Sequence, residues 1–402
     1  MIERYLNIAR EVIDLSLKQG AEQVSVSLAN ATSFQLEVRN QNIEALKEAG
    51  SSGIHVTLAK NQKRSTLSSN DFRLETLEPL IRSTLEALPL MGEDPFYTLP
   101  DPKLQGKAEI DLQFRDPNFE KMASTEKINE LMLLEKEALS IDSRLQTEEI
   151  SFSDSISYMV HGDSNGFLEG CSKTLCSQGV SMFAEDGGEE TEGSSQSLNT
   201  GRKQSDGWYS SSRFRKDLES REDLARKAGE RTLRKLGSVK PKSCEVPVVF
   251  STEMAQSFLG SLASAMMGDN VFRKHSFLKD SLGETVANPE IRLSDEPLLP
   301  GKLGSRHYDN EGVKATPLML IDQGKLLSFM CSTYSANKLD RQSTGHAGGI
   351  SNLMLKPGSY SDEELIASID NGLYLTGMSG QGVNLTTGDY SRGAQGLWIR
   401  KG

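Results

Sequence analysis

The stretch EQVSVSLANATSFQLEVRNQN, residues 22–42, alternates apolar and polar side chains over most of its length. Successive side chains of a β-strand point to opposite faces of a sheet, so an apolar residue at every second position predicts a half-buried strand. The segments ANATS and RNQN are rich in residues that favour turns, and we expect a turn at each. The stretch therefore predicts short antiparallel strands of a meander. Its alternating apolar residues are Val24, Val26, Leu28, Phe34, Leu36 and Val38.

A second stretch, EEISFSDSISYMVHGDSN at residues 148–165, has the same layout: an acidic start, an alternating strand, a short turn, a second strand and an Asn near its end. Apolar residues at helical spacing precede and follow each of the two stretches. We therefore predict an internal repeat with halves at 1–88 and 119–237. The segment 89–117 between them is rich in proline and lacks periodicity, so we expect a surface connection there.

The chain after residue 237 has a different pattern. Pro241 and Pro247 flank a predicted boundary between an N-terminal α+β domain, 1–237, and a C-terminal domain, 238–402, and we expect a buried strand at 246–250. We expect the second domain to be mostly β with a few helices, one of them opened by a capping box of Ser361 and Glu364. The predicted fold class is α+β. An acidic Gly/Ser-rich segment at 185–206 predicts a long loop or a mobile hairpin tip.

Composition narrows the classes of function. The chain has 402 residues, 36% hydrophobic and 25% charged, and a net charge of -11, which is typical of a water-soluble globular protein that does not bind nucleic acid directly. The N-terminus has charged residues among its apolar ones, so we expect no signal peptide, no membrane association and a cytoplasmic location. The four cysteines are spread out and are expected to be reduced.

Three groups of residues have side chains of the kinds found in reactive or ligand-binding sites, and each group also has a purely structural interpretation. His161, Cys171 and Cys176 match no zinc spacing, which favours structural thiols and a surface imidazole. Ser343 and His346, with Asp389 downstream, contain the residue types of a catalytic triad, but a nucleophile elbow is missing. The Gly-rich run 377–396 contains Val383 and Leu385 and is followed by 397–399, and we expect these residues to continue as strands instead of opening the helix that a phosphate-binding loop needs.

The stretch QSFLGSLASAMMGDNVFRKH, residues 256–275, predicts a helix with an unusually small face. Small side chains permit the close approach of another backbone or of a ligand. The five small residues are Gly260, Ser261, Ala263, Ser264 and Ala265.

The C-terminal run from YDNEGVKATPLMLIDQGKLL to TTGDYSRGAQGLWI resembles the TldD/PmbA family, once called modulators of DNA gyrase. The likeness covers nearly the whole chain. It rests on 309–312, Gly324, 343–347, 351–353, Gly358, 363–366 and 380–392, with RNQNIEALKEAGSSGIHV and DSLG in support.

This resemblance implies two kinds of member. TldD-type members carry an H-E-x-x-x-H helix and a later Cys that hold a catalytic metal, and they pair with TldE/PmbA-type members in a cytosolic metallopeptidase for unfolded or small peptides. The present chain is similar to the second kind, because 257–268 contains no His or Glu, and Met378 and Ser379 stand where the Cys is expected. The small residues around Gly260 then mark a vacated metal helix. We expect no catalytic residue, no metal and no cofactor in this chain, and zinc only on a TldD-type partner.

Two functions from different classes follow. The first is a metal-free peptidase subunit that contributes cleft and dimer surface and contacts a peptide substrate. The second is a non-enzymatic homodimer that regulates a gyrase-toxin pathway where no TldD-type partner is present. An unrecognised hydrolase built on Ser343 is a third. Six residues are candidates for the cleft that binds peptide or partner, although each can equally anchor a loop: Ser343, His346, Asn352, Ser379, Gln381 and Arg392.

Overall fold

The computed structural model describes residues 1–185 and 202–402. The fold is α+β, as predicted, with one large antiparallel sheet, two small sheets and eight α-helices in these described ranges. Most of the acidic segment predicted as a loop, 186–201, lies outside the described residues. The end of that prediction is wrong, because residues from Lys203 onward form a strand.

The N-terminal part repeats one order of elements. The first set is α1 (Ile2–Lys18), β1 (Gln23–Arg39), β2 (Asn42–Lys60), β3 (Lys63–Ser69) and α2 (Leu74–Ala87). The second set is α3 (Ser124–Ser140), β4 (Gln146–Asp163), β5 (Leu168–Glu185), β6 (Lys203–Ser212) and α4 (Arg221–Leu233). The sheet order is β3-β2-β1-β4-β5-β6, so β1 and β4 pair at its centre. The domain limits themselves stay a prediction.

The predicted turn at ANATS is wrong. Strand β1 runs through 29–33 without interruption and pairs with β2 on one side and β4 on the other. Its small residues face small partners, Ala29 opposite Gly53 and Ala31 opposite Ser51, so nothing forces the chain to reverse. Strand β4 is continuous in the same way. The turn at RNQN is confirmed, since Asn40 and Gln41 adopt φ of 53° and 56° between β1 and β2, as a tight hairpin requires.

Alternation places the apolar side of the large sheet against the four helices. One core cluster joins α1 and α2 to β1, β2 and β4, and a second joins α3 and α4 to the far halves of β1, β4 and β5. Leu28 and Leu36, at either end of β1, are 1% and 0% exposed, one in each cluster. The central strands of the sheet therefore bury the same face near both ends of β1.

The C-terminal part has short elements joined by long irregular segments. Its helices are α5 (Thr252–Ala265), α6 (Gly268–Phe272), α7 (Thr333–Lys338) and α8 (Asp362–Ala367). Its strands are β7 (Val248–Phe250), β8 (Leu293–Asp295), β9 (Leu318–Asp322), β10 (Lys325–Leu326), β11 (Leu353–Leu355), β12 (Asn371–Ser379) and β13 (Gly393–Arg400). They form two sheets, β10-β9-β8-β11 and β13-β12-β7.

Two local predictions for this part need correction, and one is confirmed. Strand β7 is only partly buried: it lies at the edge of its sheet, where Val249 is buried but Val248 is 42% exposed. Val383 and Leu385 lie in the loop between β12 and β13, where Val383 forms only an isolated bridge to Tyr390. The capping box at Ser361 is present and begins α8.

Within the described ranges, every helix is too short or too polar to cross a lipid bilayer.

Candidate functional site

Helix α5 contains the five small residues singled out in the sequence. Ala263 and Ala265 are 1% and 0% exposed and pack in the apolar core of the C-terminal part, so their small size serves packing. A Cβ atom placed on Gly260 would meet nothing within 4 Å, so this residue borders open space. The two hydroxyls turn back onto the helix: Ser261 Oγ donates to the Ser257 carbonyl at 3.1 Å and Ser264 Oγ to the Gly260 carbonyl at 2.9 Å.

The loop that joins β12 to β13, residues 380–392, lies against α5. The rings of Phe258 and Tyr390 meet edge to face with centroids 5.3 Å apart. Tyr390 donates its hydroxyl proton to the Met378 sulfur at 3.1 Å. Arg392 Nη1 donates to Ser257 Oγ at 3.4 Å. This contact, which we call the α5–hairpin contact, joins the helix to the segment where the sequence placed the missing metal ligands.

The α5–hairpin contact has the wrong chemistry for a catalytic zinc ion. Zinc is held by thiolate, imidazole and carboxylate groups, usually three of them in a catalytic site. Residues 257–265 offer only hydroxyl, aliphatic and aromatic side chains, and the Arg392 guanidinium carries a positive charge at the same contact. In the parts of the chain that the structure describes, no three His, Cys, Asp or Glu residues are grouped to hold a metal.

Three of the six cleft candidates anchor a buried loop. His346 is 2% exposed, with Nε2 3.1 Å from a carboxylate oxygen of Asp295 and Nδ1 2.8 Å from the Thr344 carbonyl. Asn352 donates to the Glu296 carbonyl at 2.7 Å. Ser343 Oγ donates to the Cys331 carbonyl at 3.2 Å. These side chains hold the segment 343–352 against strands β8 and β11.

The carboxylate of Asp295 organises this loop. It accepts hydrogen bonds from the Ser351 amide at 2.8 Å and the Ser351 hydroxyl at 2.6 Å, besides its contact with His346. Burial alone would raise the pKa of Asp295, but the hydrogen bonds from His346 and Ser351 outweigh it and hold that pKa below its usual value. Asp295 is therefore charged at neutral pH.

The same geometry bears on the triad hypothesis. Both ring nitrogens of His346 already have partners, and neither partner is Ser343. Asp389 lies on the β12–β13 loop, where it accepts from the Thr387 hydroxyl at 2.7 Å. A nucleophilic serine needs a base within hydrogen-bond reach, and Ser343 lacks that arrangement here.

The remaining three candidates lie together on the hairpin. Ser379 and Gln381 are exposed, and Ser379 pairs with Gly393, the residue after Arg392. The structure thus places Ser379, Gln381 and Arg392 on the hairpin that contacts α5, and Ser343, His346 and Asn352 on the separate 343–352 loop. Sequence reasoning missed Phe258 and Tyr390. Their aromatic type within runs of small residues was the available signal.

The group of His161, Cys171 and Cys176 also differs from expectation. The imidazole of His161 is not at the surface: it is 8% exposed, and Nδ1 lies 3.0 Å from Ser27 Oγ. Burial lowers the pKa of His161 to about 4. Burial also raises the pKa of Cys176 to about 11, so both groups are neutral at physiological pH.

Comparison with known proteins identifies the relatives of this chain. The family model of the PmbA/TldA metallopeptidase C-terminal domain matches residues 243–402, and that of the central domain matches residues 117–236. The metalloprotease PmbA homolog of Buchnera aphidicola subsp. Acyrthosiphon pisum is 32% identical over 99% of this chain and 86% of its own length. Metalloprotease PmbA of Escherichia coli O157:H7 is 29% identical over 100% of this chain and 87% of its own.

Solved structures agree with these sequence matches. A proposed modulator of DNA gyrase from Bacteroides thetaiotaomicron VPI-5482 superposes with a TM-score of 0.89 and 28% identity, covering 98% of this chain and 87% of that one. TldE from Thermococcus kodakarensis has the same fold, with a TM-score of 0.79 at 20% identity over 96% of this chain and 90% of its own. Family models, a relative above 30% identity and shared fold agree: the chain belongs to the PmbA/TldD metallopeptidase family.

Proposed function

We propose that this chain is the metal-free, TldE/PmbA-type subunit of a two-chain cytosolic metallopeptidase that acts on unfolded or small peptides. It contributes cleft and dimer surface, and a TldD-type partner supplies the zinc site. The observation that carries the proposal is the α5–hairpin contact: Arg392 and Tyr390 lie against Ser257 and Phe258, which belong to the segment that the resemblance aligns with the metal helix of TldD-type members.

The physical reason is electrostatic. A zinc site lowers the pKa of its bound water because the cation stabilises hydroxide, and a nearby fixed guanidinium opposes the binding of that cation. Hydroxyls that already donate to helix carbonyls are weak substitutes for thiolate or imidazole. The open space beside Gly260 remains available to a peptide or to the partner's residues.

The first experiment measures cleavage of an unfolded peptide by this chain alone, by a TldD-type relative alone and by the mixture. We expect cleavage by the mixture only, abolished by a chelator, and less than one equivalent of zinc retained by this chain after dialysis. Chelator-resistant cleavage by the isolated chain would contradict the proposal. A stable homodimer that never associates with the relative would favour the regulatory function instead.

A matched pair of variants tests whether α5 borders the shared cleft. Gly260 and Gly358 both have open space around an added Cβ atom, and neither has a positive φ. We expect Gly260→Trp to leave folding and co-elution with the relative unchanged and to reduce cleavage by the mixture at least about tenfold, because the indole fills space that the peptide needs. Gly358→Trp serves as the control. Equal activities of the two variants would show that α5 does not border the cleft.

A further inference from the structure

A large groove lies apart from the α5–hairpin contact, between the two parts of the molecule. Its volume is about 1890 Å³, and it is lined by β6 and α4 on one side and by β7, β12 and β13 on the other. Its lining includes Glu253 and Gln256 of α5. A space of this size accommodates a polypeptide segment more readily than a small metabolite.

The charge of the groove differs from that of the whole chain. Eight basic and four acidic side chains line it, although the chain as a whole has a net charge of -11. Arg231 and Lys235 form ion pairs with Asp206, at 3.4 and 3.0 Å. Within the described residues, four of the basic side chains lack an ion pair: Arg202, Lys240, Lys242 and Arg400. The groove is therefore a cationic surface on an anionic protein and favours an acidic ligand.

One wall of the groove is the free edge of a sheet. Strand β13 pairs only with β12 within the described part of the chain, so its other edge is open. The amide of Lys401 donates to the Asp370 carbonyl at 2.8 Å, which extends the ladder toward β12. Alternate residues of an antiparallel strand point their amides in opposite directions, so Trp398 and Arg400 direct theirs away from β12. These unpaired groups match the backbone of an added strand.

The groove also concentrates aromatic side chains. Both tryptophans of the chain, Trp208 and Trp398, line it, together with Tyr209, which is 68% exposed. Tryptophan, tyrosine and arginine dominate the energetics of protein recognition sites. The side-chain amide nitrogen of Gln204, a residue 9% exposed, is buried in the groove wall and has no hydrogen-bond partner among the described residues.

We infer that this groove binds an extended, acidic polypeptide segment, which adds to the free edge of β13 and places its carboxylates near Lys240, Lys242 and Arg400. A single-stranded nucleic acid would also find cations and aromatic rings there. Its phosphates would lie against Glu230, Glu245 and Glu253 of the same walls, and it has no peptide groups to pair with a strand edge, so the polypeptide is the better fit. The inference does not depend on catalysis and is tested on the isolated full-length chain.

Intrinsic tryptophan fluorescence reports the site directly, since both tryptophans lie in it. The titrant is a short peptide that alternates Glu and Thr, with Lys-for-Glu and alternately N-methylated versions and a single-stranded oligonucleotide as comparisons. We expect saturable binding of the acidic peptide only. N-methylation should weaken it at least about tenfold, because it removes the donors that pair with the strand edge. Equal binding of the basic peptide, or tighter binding of the oligonucleotide, would overturn the inference.

Charge-reversal variants locate the binding. Lys240 and Lys242 lie on an exposed segment outside any helix or strand, so Lys240→Glu/Lys242→Glu is expected to fold, with an unchanged thermal melt as the check. The double variant should weaken binding of the acidic peptide at least about tenfold, because several exposed charge contacts are lost together. Lys103→Glu/Lys302→Glu is the control, since both residues are exposed and neither lines the groove. An equal effect of the two double variants would contradict the assignment.

Discussion

The large sheet spans residues 23–212 with strands of up to 19 residues, whereas strands after residue 243 reach nine residues at most. In the sheet, alternating apolar side chains pack against four helices, and burial of that face stabilises the structure. In the C-terminal part, long irregular segments leave many backbone groups without a ladder partner. Buried polar side chains satisfy several of them, so the C-terminal part has a second source of stability beside its apolar core.

Asp309 illustrates the second source. It is 1% exposed and accepts from the amides of Glu311, Val313 and Ala347 at 2.9, 3.0 and 2.9 Å. Asp295 does the same for the neighbouring loop. A buried carboxylate that accepts several backbone amides fixes a loop much as a ladder fixes a strand, but its removal leaves those amides unsatisfied. The comparison therefore predicts that the most destabilising substitutions remove buried polar side chains in the C-terminal part and buried apolar side chains in the large sheet.

The largest effect is expected for Asp295→Ala. It leaves His346 and the Ser351 amide buried without their acceptor, and we expect a loss of about 3–5 kcal/mol in the free energy of unfolding. Urea unfolding followed by fluorescence measures it, with Trp208 in the sheet and Trp398 in the C-terminal part. Asp280→Ala, at a side chain that is 86% exposed, is the control and should change little. Similar losses in the free energy of unfolding for Asp295→Ala and Asp280→Ala would show that the polar network does not stabilise the protein.

The apolar counterpart is Leu36→Ala on β1. Leu36 is 0% exposed, and the deleted methyl groups leave a cavity between the sheet and the second pair of helices, so we expect a loss of about 3 kcal/mol. Leu46→Ala, at a leucine that is 48% exposed on the neighbouring strand, should cost less than about 0.5 kcal/mol. The same unfolding experiment applies. If Leu36→Ala were as mild as Leu46→Ala, the apolar face would not be what holds the sheet.

A smaller effect sharpens the comparison, because helix α3, which packs on the large sheet, also contains a buried carboxylate, Glu135. Burial would raise the pKa of Glu135, but hydrogen bonds from Thr147, Gln41 and Asn40 outweigh it and lower that pKa from its ordinary value of 4.5. Since the folded pKa is depressed, this stability is present above pH 4.5 and is lost as the pH falls through the folded pKa.

Glu135→Gln tests that assignment. We expect a loss of about 1–2 kcal/mol at neutral pH, since the amide keeps one acceptor, and a flatter decline in stability below pH 4.5. The measurement is the free energy of unfolding as a function of pH. Glu137→Gln on the same helix should keep the acid dependence of the unchanged protein. If the stability of Glu135→Gln fell with decreasing pH as steeply as that of the unchanged protein, the acid dependence would come from other carboxylates.

This contrast also explains what the sequence could predict. The helices, the alternating strands and the sheet's buried face follow from periodicity, which is a local property of residues such as Val24 to Val38. The turn at ANATS was predicted wrongly because turn-forming residues also fit a central strand whose neighbours are small, as Ala31 opposite Ser51 shows. Asp295 and Asp309 could not be recognised, because their partners lie up to 56 residues away and no periodic signal marks a buried carboxylate.

The candidate site likewise has features that the sequence could predict and features that it could not. The absence of metal-ligand residue types in 257–268 is a property of composition, and the sequence alone was enough to show it. The fate of each polar candidate depended on tertiary contacts: His346 is buried on Asp295, while Gln381 is exposed on the hairpin. The groove between the two parts was beyond sequence reasoning, because Trp208 and Trp398 are 190 positions apart in number and meet only through the fold.

The smallest effect is expected where the C-terminal part uses a purely local device. Ser361 Oγ accepts from the Glu364 amide at 3.2 Å, and the Glu364 carboxylate accepts from the Ser361 amide at 2.8 Å, so Ser361→Ala removes one half of the capping box of α8. We expect a loss of about 0.5–1 kcal/mol, measured as faster amide hydrogen exchange in 362–367, and its recovery in Ser361→Asp, which restores an acceptor. Because none of the α8 residues is buried, the change should leave exchange in the 343–352 loop untouched. Faster exchange in that loop would mean that the cap and the Asp295 network act as one unit, and the C-terminal part would then owe its stability to a single cooperative polar system.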